Sequence, residues 1–466
     1  MKKILLILVS LFTISTFAQD ITGEWFGLLK TPAKQLSIVL KISKLDSGYS
    51  ATLDSPDQGA NGIQVTTTSF GDNELRFSIA GAKIDYEGVL GKDKIIRGNF
   101  KQGMYTFPLD LSREKVEKEK LKRPQEPSKP YPYTSEDITF ENKKEAITLA
   151  GTLTFPKKTG TFPAVILISG SGPQNRDEEL LGHKPFLVLS DYLTRNGIAV
   201  LRFDDRGTGS SKGDFKKATT QNFATDVEAA VNYLKTRKEI NKTKIGLIGH
   251  SEGGIIAPIV ATTSKDIRFI ILLAGMGIPG DKLLLLQQGL IKKASGINED
   301  EVKLSQAFNE GLFEIVKKSP NETVLKTDIE NYLREKLSAM PESEKSGMSD
   351  TDFIRSIESQ LLTPWMQYFI KYDPQPILEK VKCPVLALNG EKDLQVPPKE
   401  NLEAIKNALA KGGNTKVTGK ELSGLNHLFQ EAITGAPSEY ATIEQTFSPI
   451  ALEEIKKWID LQTKGK

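Results

Sequence analysis

The feature that most constrains this chain is a rhythm beginning near residue 137. Continuous apolar runs alternate there with helical stretches. Ala164-Val165-Ile166-Leu167-Ile168 is followed by a helix at 186–195, Ile198-Ala199-Val200-Leu201-Arg202-Phe203 by one at 223–236, and Lys244-Ile245-Gly246-Leu247-Ile248 by one at 249–262, leading to Phe269-Ile270-Ile271-Leu272-Leu273. A strand with no polar face has to be covered on both sides. The intervening helices supply that cover, and crossovers of this length make neighbouring strands parallel. The expectation is an α/β domain over residues 136–466, with a mostly parallel sheet and helices on both faces.

The rhythm stops near 278. Segments 281–294, 299–318, 324–338 and 351–370 read as helices with no buried strand among them, before the sheet pattern resumes at Pro384-Val385-Leu386-Ala387-Leu388. A helix near 399–411, a strand near 415–422 and a helix near 447–462 complete the domain. A helical insertion at about 278–378 is expected to cap the carboxyl edge of the sheet, where open α/β sheets bind ligands. The four leucines at 283–286 suggest a lipase-type lid, but the buried face of a cap helix explains them more simply.

Gly249-His250-Ser251-Glu252-Gly253 follows the 244–248 strand directly and precedes a helix. A G-x-S-x-G on such a turn strains the serine backbone and projects its hydroxyl above the sheet. The helix N-terminus behind it favours developing negative charge. A bare pentapeptide also fits a serine N-cap in a glycine-rich turn, but here strand and helix flank it on the two sides the motif requires. A serine hydroxyl needs a base, and the base an orienting carboxylate, in the chain order serine, acid, histidine. Asp393 lies just after the 384–388 strand. Glu391 competes two residues earlier, and Asp393 is preferred because it stands further out in the loop. Of three histidines, His183 precedes the serine and His250 adjoins it and is expected to pack beside the turn. That leaves His427, in Ser423-Gly424-Leu425-Asn426-His427, as the base.

A tetrahedral oxyanion needs backbone donors. The N–H of Glu252, directly after the nucleophile, is one. The second is expected from Ser169-Gly170-Ser171-Gly172-Pro173, after the 164–168 strand, with Ser171 preferred and Gly172 second. Two charged loops follow strands, Gln174-Asn175-Arg176-Asp177 and Asp204-Asp205-Arg206-Gly207-Thr208-Gly209-Ser210. They read as loop-fixing ion pairs and turns, and the second lacks the Lys-Ser/Thr ending of a phosphate-binding loop.

Residues 19–112 change period. Leu36-Ser37-Ile38-Val39-Leu40-Lys41-Ile42, Leu75-Arg76-Phe77-Ser78-Ile79 and Ile84-Asp85-Tyr86-Glu87-Gly88-Val89 alternate like half-buried strands between turn residues. About seven such strands predict a small antiparallel β-barrel or sandwich. It contains no His or Cys, so it is not the main catalytic unit by itself. A mixed charge run and four prolines at 113–135 predict an extended linker. Residues 1–18 have the form of a secretory signal peptide: Lys2-Lys3, an apolar run at 4–14, and a small residue, Ala18, before the cut. That run is too short to span a bilayer, which takes roughly 20 residues. No cysteine follows it to carry a lipid. The expectation is an exported protein, periplasmic or secreted, with no stable membrane insertion after cleavage.

Charge and metal chemistry narrow the classes further. Lys+Arg 62 against Asp+Glu 59 gives +3, reduced to +1 when Lys2 and Lys3 leave with the leader. Such a balance gives no reason to expect nucleic acid as a partner. Cys383 is the only cysteine and no histidines stand at i, i+4, so neither an internal disulfide nor a metal site is expected.

With these residues in order, the chain from about 137 to 464 resembles the bacterial α/β-hydrolase esterases related to serine aminopeptidases. Within them it looks most like the secreted two-domain carboxylesterases with a β-rich N-terminal domain. The matching segments are Ser169-Gly170-Ser171-Gly172-Pro173, Phe203-Asp204-Asp205-Arg206-Gly207, Gly249-His250-Ser251-Glu252-Gly253-Gly254, Gly390-Glu391-Lys392-Asp393 and Asn426-His427. The resemblance implies an α/β-hydrolase fold with a helical cap, a Ser251, Asp393 and His427 triad, hydrolysis of small-molecule acyl esters and no cofactor. Many relatives have His-Gly where this chain has Ser169-Gly170, which bears on which amide completes the oxyanion hole. The enzymatic rival is an aminopeptidase or amidase on the same residues, needing a buried acid for a substrate's amino terminus. Glu310, Glu314, Asp352 and Glu358 of the cap are candidates. A rival of another class is a non-catalytic binding protein on a hydrolase scaffold.

Overall fold

The computed structural model describes residues 20–31, 35–102, 105–117, 122–339 and 349–464. The expected leader lies outside them, as do residues 118–121 of the expected linker. The chain divides into two compact units, Met1–Lys120 and Leu121–Lys466.

In the first unit nine strands form one antiparallel sheet: β1 (Gly23–Lys30), β2 (Gln35–Leu45), β3 (Gly48–Ser55), β4 (Ala60–Gln64), β5 (Thr67–Gly71), β6 (Glu74–Ile79), β7 (Ile84–Leu90), β8 (Ile96–Gln102) and β9 (Tyr105–Ser112). Their order is β4-β3-β2-β1-β9-β8-β7-β6-β5, curled into a half-barrel rather than split into a sandwich. The middle is joined where Phe26 of β1 pairs with Ser112 of β9, and Gly27 with Leu111. Alternation dictates the inner face: β7 buries Ile84, Tyr86 and Leu90 and turns Asp85, Glu87 and Val89 outward. The count of about seven falls short because β4 and β5 are five residues each and bury no side chain fully, so they carry little periodic signal.

In the second unit eight strands, β10 (Thr134–Asn142), β11 (Ile147–Phe155), β12 (Phe162–Ile168), β13 (Ala199–Phe203), β14 (Ile240–His250), β15 (Ile267–Leu273), β16 (Val385–Gly390) and β17 (Val417–Leu422), are ordered β10-β11-β13-β12-β14-β15-β16-β17. The β10–β11 and β11–β13 pairs are antiparallel and the rest parallel. The apolar runs are continuous because each strand feeds two cores. Ala164, Ile166 and Ile168 of β12 join one, and Val165 and Leu167 the other.

The helices are α1 (Pro185–Arg195), α2 (Thr220–Thr236), α3 (Gly253–Thr263), α4 (Gly280–Ala294), α5 (Glu299–Lys318), α6 (Glu322–Ala339), α7 (Asp350–Leu361), α8 (Pro364–Lys371), α9 (Gln375–Leu378), α10 (Pro398–Lys411) and α11 (Pro449–Thr463). Residues of α2, α3 and α10 pack into the first core, and those of α1 and α11 into the second. The helices from α4 to α8 form the insertion, with a core of their own that includes Leu312, Phe313, Ile329, Leu333, Ile354 and Ile370. The segment 351–370, expected as one helix, is two. Leu362 ends the first and Thr363 caps the second, its Oγ1 accepting the Met366 N–H at 3.2 Å, with Pro364 at the first helical position.

Part of the expected linker is anchored rather than free. Arg123 donates to the carbonyls of Ile443 (2.8 Å) and Ala441 (3.0 Å), and Gln125 donates to Phe447 O and accepts the Thr446 N–H.

Candidate active site

Strand β14 ends at His250 and α3 begins at Gly253, so Ser251 and Glu252 make the whole turn. Ser251 has φ +51°, in the left-handed region that side-chain-bearing residues seldom occupy. Its N–H donates to Leu273 O at 2.8 Å and its carbonyl accepts the Gly254 N–H at 2.9 Å, which hold it there. The glycines around it are dictated by packing. A Cβ on Gly249 would run into the Gly253 carbonyl, and one on Gly253 into the Ile168 carbonyl. A Cβ on Gly170 would stand 3.2 Å from that of Ser251, so the loop after β12 lies against the serine.

Asp393 follows β16 and is almost fully buried. Its Oδ2 is 2.9 Å from Nδ1 of His427, and its Oδ1 accepts the N–H groups of Gln395 and Val396, each at 2.8 Å. Glu391 is exposed and turned elsewhere. It accepts Ser423 Oγ–H (2.6 Å) and the Gly424 N–H (2.8 Å), bonds that hold its carboxyl below the usual range and fix the loop leading to His427. Of the two acids, Asp393 is the one brought to the histidine.

The loop after β12 is fixed by acids. Asp205 accepts Ser169 Oγ–H (2.8 Å) and the Gln174 N–H (2.9 Å), and Arg176 pairs with Asp204 at 2.7 Å. Glu178 accepts the Gly170 N–H at 2.7 Å. The Ser171 and Glu252 amides have no acceptor among the described residues.

Two features at the turn were not foreseen. His250 is more than packing: its Nδ1 is 2.9 Å from Glu178 Oε1 and its Nε2 is 3.0 Å from His427 O. The Glu252 side chain turns inward and accepts Thr220 Oγ–H (2.6 Å) and the indole N–H of Trp365 (2.8 Å), which ties α8 of the cap to the serine turn. Burial pushes Glu252 up to about 7 against those two bonds, and pushes Asp205 up to about 8. The signal available for Glu252 was a lone carboxylate entering the apolar segment Gly253-Gly254-Ile255-Ile256. Nothing local marked Glu178 or Trp365.

His183 is buried, bonded to Tyr440 O (2.8 Å) and Thr446 Oγ1 (3.0 Å), and burial pushes it down to about 4. Among the cap acids Glu310 pairs with Lys282, Glu314 with Lys317 and Lys318, and Asp352 accepts Ser349 Oγ–H. Glu358 differs: it is buried, and its Oε1 has no hydrogen-bond partner among the described residues. Among the described residues no group of three or more His, Cys, Asp or Glu could hold a metal ion.

Residues 185–430 match the family described as serine aminopeptidase, S33, which is more than half of the chain. The chain is 25% identical to Esterase EstD of Thermotoga maritima over 394 residues, 80% of this chain and 83% of that protein. Among solved structures, the α/β hydrolase GrgF of a Penicillium species aligns with TM-score 0.44 at 16% identity, covering 71% of this chain and 100% of that one. The Pyrococcus furiosus esterase Pf2001 aligns with TM-score 0.41 at 17% identity, covering 71% and 92%. The chain belongs to the serine aminopeptidase, S33, family and is a hydrolase of the α/β-hydrolase fold.

Proposed function

We propose that this chain hydrolyses carboxylic esters through an acyl-enzyme on Ser251, with His427 as base and Asp393 as its orienting acid. The observation that carries the reading is the 2.9 Å contact of His427 Nδ1 with Asp393, whose other oxygen is already taken by two amides. With Nδ1–H directed to the carboxylate, Nε2 is the basic nitrogen. Ser251 Oγ attacks the acyl carbon as its proton passes to Nε2. The carbonyl oxygen becomes the oxyanion, facing the Glu252 and Ser171 amides, each contributing roughly 3 kcal/mol at the transition state. Collapse expels the alcohol with the proton from His427. Water then attacks the acyl group by the same route, releasing the acid and restoring the serine.

The name of the Thermotoga relative supports esters over amides. The test is a series of p-nitrophenyl acyl esters of rising chain length with wild type and Ser251→Ala. Turnover that is lost in the variant agrees with the reading, and turnover that persists ends it. We also propose export, from the character of residues 1–18. A mature N-terminus at Gln19 on protein recovered outside the cytoplasm is the expected result.

Glu358 favours a second reading. A buried carboxylate oxygen without a donor is a fitting partner for a substrate ammonium group. Under an aminopeptidase reading, aminoacyl p-nitroanilides with a free amino terminus are cleaved, blocked ones are not, and Glu358→Gln raises KM for the free ones.

A further inference from the structure

The residue before Ser251 makes two hydrogen-bond contacts whose partners both favour a protonated ring. His250 Nε2 faces the carbonyl oxygen of His427, which can only accept, so Nε2 carries a proton. His250 Nδ1 faces Glu178 Oε1, an atom that already accepts the Gly170 N–H. A carboxylate oxygen taking one donor is an acceptor for the second, so Nδ1 carries a proton too. A ring that donates from both nitrogens is an imidazolium.

We propose that His250 is held as an imidazolium by Glu178 and acts as a positioning residue for His427, standing as a fixed cation beside the base. The inference rests on the reading of His427 as that base. The two rings lie 4.8 Å apart, centroid to centroid. Through its Nε2 bond His250 fixes the main chain of the residue that carries the base, and through Glu178 the same unit holds Gly170 of the oxyanion loop. One ion pair thus sets the spacing between base and oxyanion donors.

Glu178 is built for this task. It is buried, at 5% exposure, and holds φ +50°, an unfavourable conformation that persists only where its surroundings over-determine it. The titratable groups facing His250 come from several loops: Glu178 after β12, Asp393 after β16 and the His427 ring after β17, while the acids Asp205 and Glu252 lie around Glu178 and the serine turn. Burial opposes the charge on His250, but Glu178, the His427 carbonyl and Asp393 together more than offset it and carry the ring above the ordinary histidine value. His183 is the contrast, with a carbonyl, a hydroxyl and the Gln430 amide for partners and no carboxylate.

The chain has only three histidines, which makes a direct test practical. In protein labelled with ¹⁵N-histidine, wild type at pH 7.5 is expected to show one ring protonated on both nitrogens, absent in His250→Gln. That spectrum needs no turnover, so it separates failure of this inference from failure of the esterase reading. No doubly protonated ring in wild type overturns the inference, and so does one that survives in His250→Gln. The kinetic arm uses His250→Gln and Glu178→Gln. Each is expected to lower kcat/KM by about tenfold with the fold kept. Folded variants that keep the wild-type kcat/KM reduce His250 to a packing residue and overturn the positioning role. Should neither variant fold, the wild-type spectrum still decides, the doubly protonated ring being His250 if His183→Gln and His427→Gln each leave it in place.

Discussion

The indole N–H of Trp365 lies 2.8 Å from Oε1 of Glu252, so the cap is bonded to the residue immediately after Ser251. A second tie runs from Gln287 of α4 to Gln395, in the loop that carries Asp393. Cap position and active-site geometry are therefore set by the same contacts. Trp365→Phe keeps most of the apolar surface and removes one donor to a buried carboxylate, a loss of about 1–3 kcal/mol. The expected result is a lower denaturation midpoint with a fall in kcat/KM. Unchanged values for both would mean the bond does not couple cap to site.

Asp393 and Glu391 differ in what their carboxylates touch, and the difference predicts opposite outcomes. Asp393→Asn leaves the shape but removes the charge that orients His427, and kcat is expected to fall on the order of 10⁴-fold. Glu391→Gln keeps an acceptor for Ser423 and Gly424 and should cost less than tenfold. Steady-state kinetics on the two variants decide. A crippled Glu391→Gln beside an active Asp393→Asn would reverse the assignment.

Asp205 predicts a pH dependence of stability. Burial pushes it from an ordinary 3.8 up to about 8. Between those values the folded chain keeps its proton while the unfolded chain has lost it, so stability falls as pH rises through the window and levels off above it. Asp205→Asn removes that contribution and keeps an acceptor for Ser169. Its thermal midpoint should decline less than that of wild type between pH 5 and 8. Parallel declines would show that Asp205 is ionised in the folded protein.

The glycines of the serine turn predict folding failures. In Gly249→Ala the new methyl meets the Gly253 carbonyl, main chain that has no room to move. The loss of stability should exceed that of Gly424→Ala, where a Cβ meets nothing and only the positive φ of 75° is strained. Thermal midpoints of the two variants, compared with wild type, test the order.

What was legible in the sequence follows the range of the forces involved. The apolar runs of β12 to β16 are visible because burial on both faces leaves long stretches such as 164–168 and 269–273 without a polar residue. Ser251, Asp393 and His427 are visible because a strand-to-loop position can be read once the strands are. The break at Thr363-Pro364 was written locally as a cap followed by proline, and only the amphipathic pattern on either side obscured it. Glu178 was not legible: its contacts depend on a positive φ and on His250, 72 residues away. Glu252 was assigned for its main-chain N–H, while its carboxylate depends on a cap helix more than 100 residues further along.

The most direct test of the central claim is covalent. Wild type treated with a fluorophosphonate that traps serine hydrolases should gain one adduct, found by mass spectrometry on the peptide containing Ser251, with loss of ester turnover in equal proportion. An adduct on another residue, or ester turnover that continues after Ser251 is fully modified, would contradict the account.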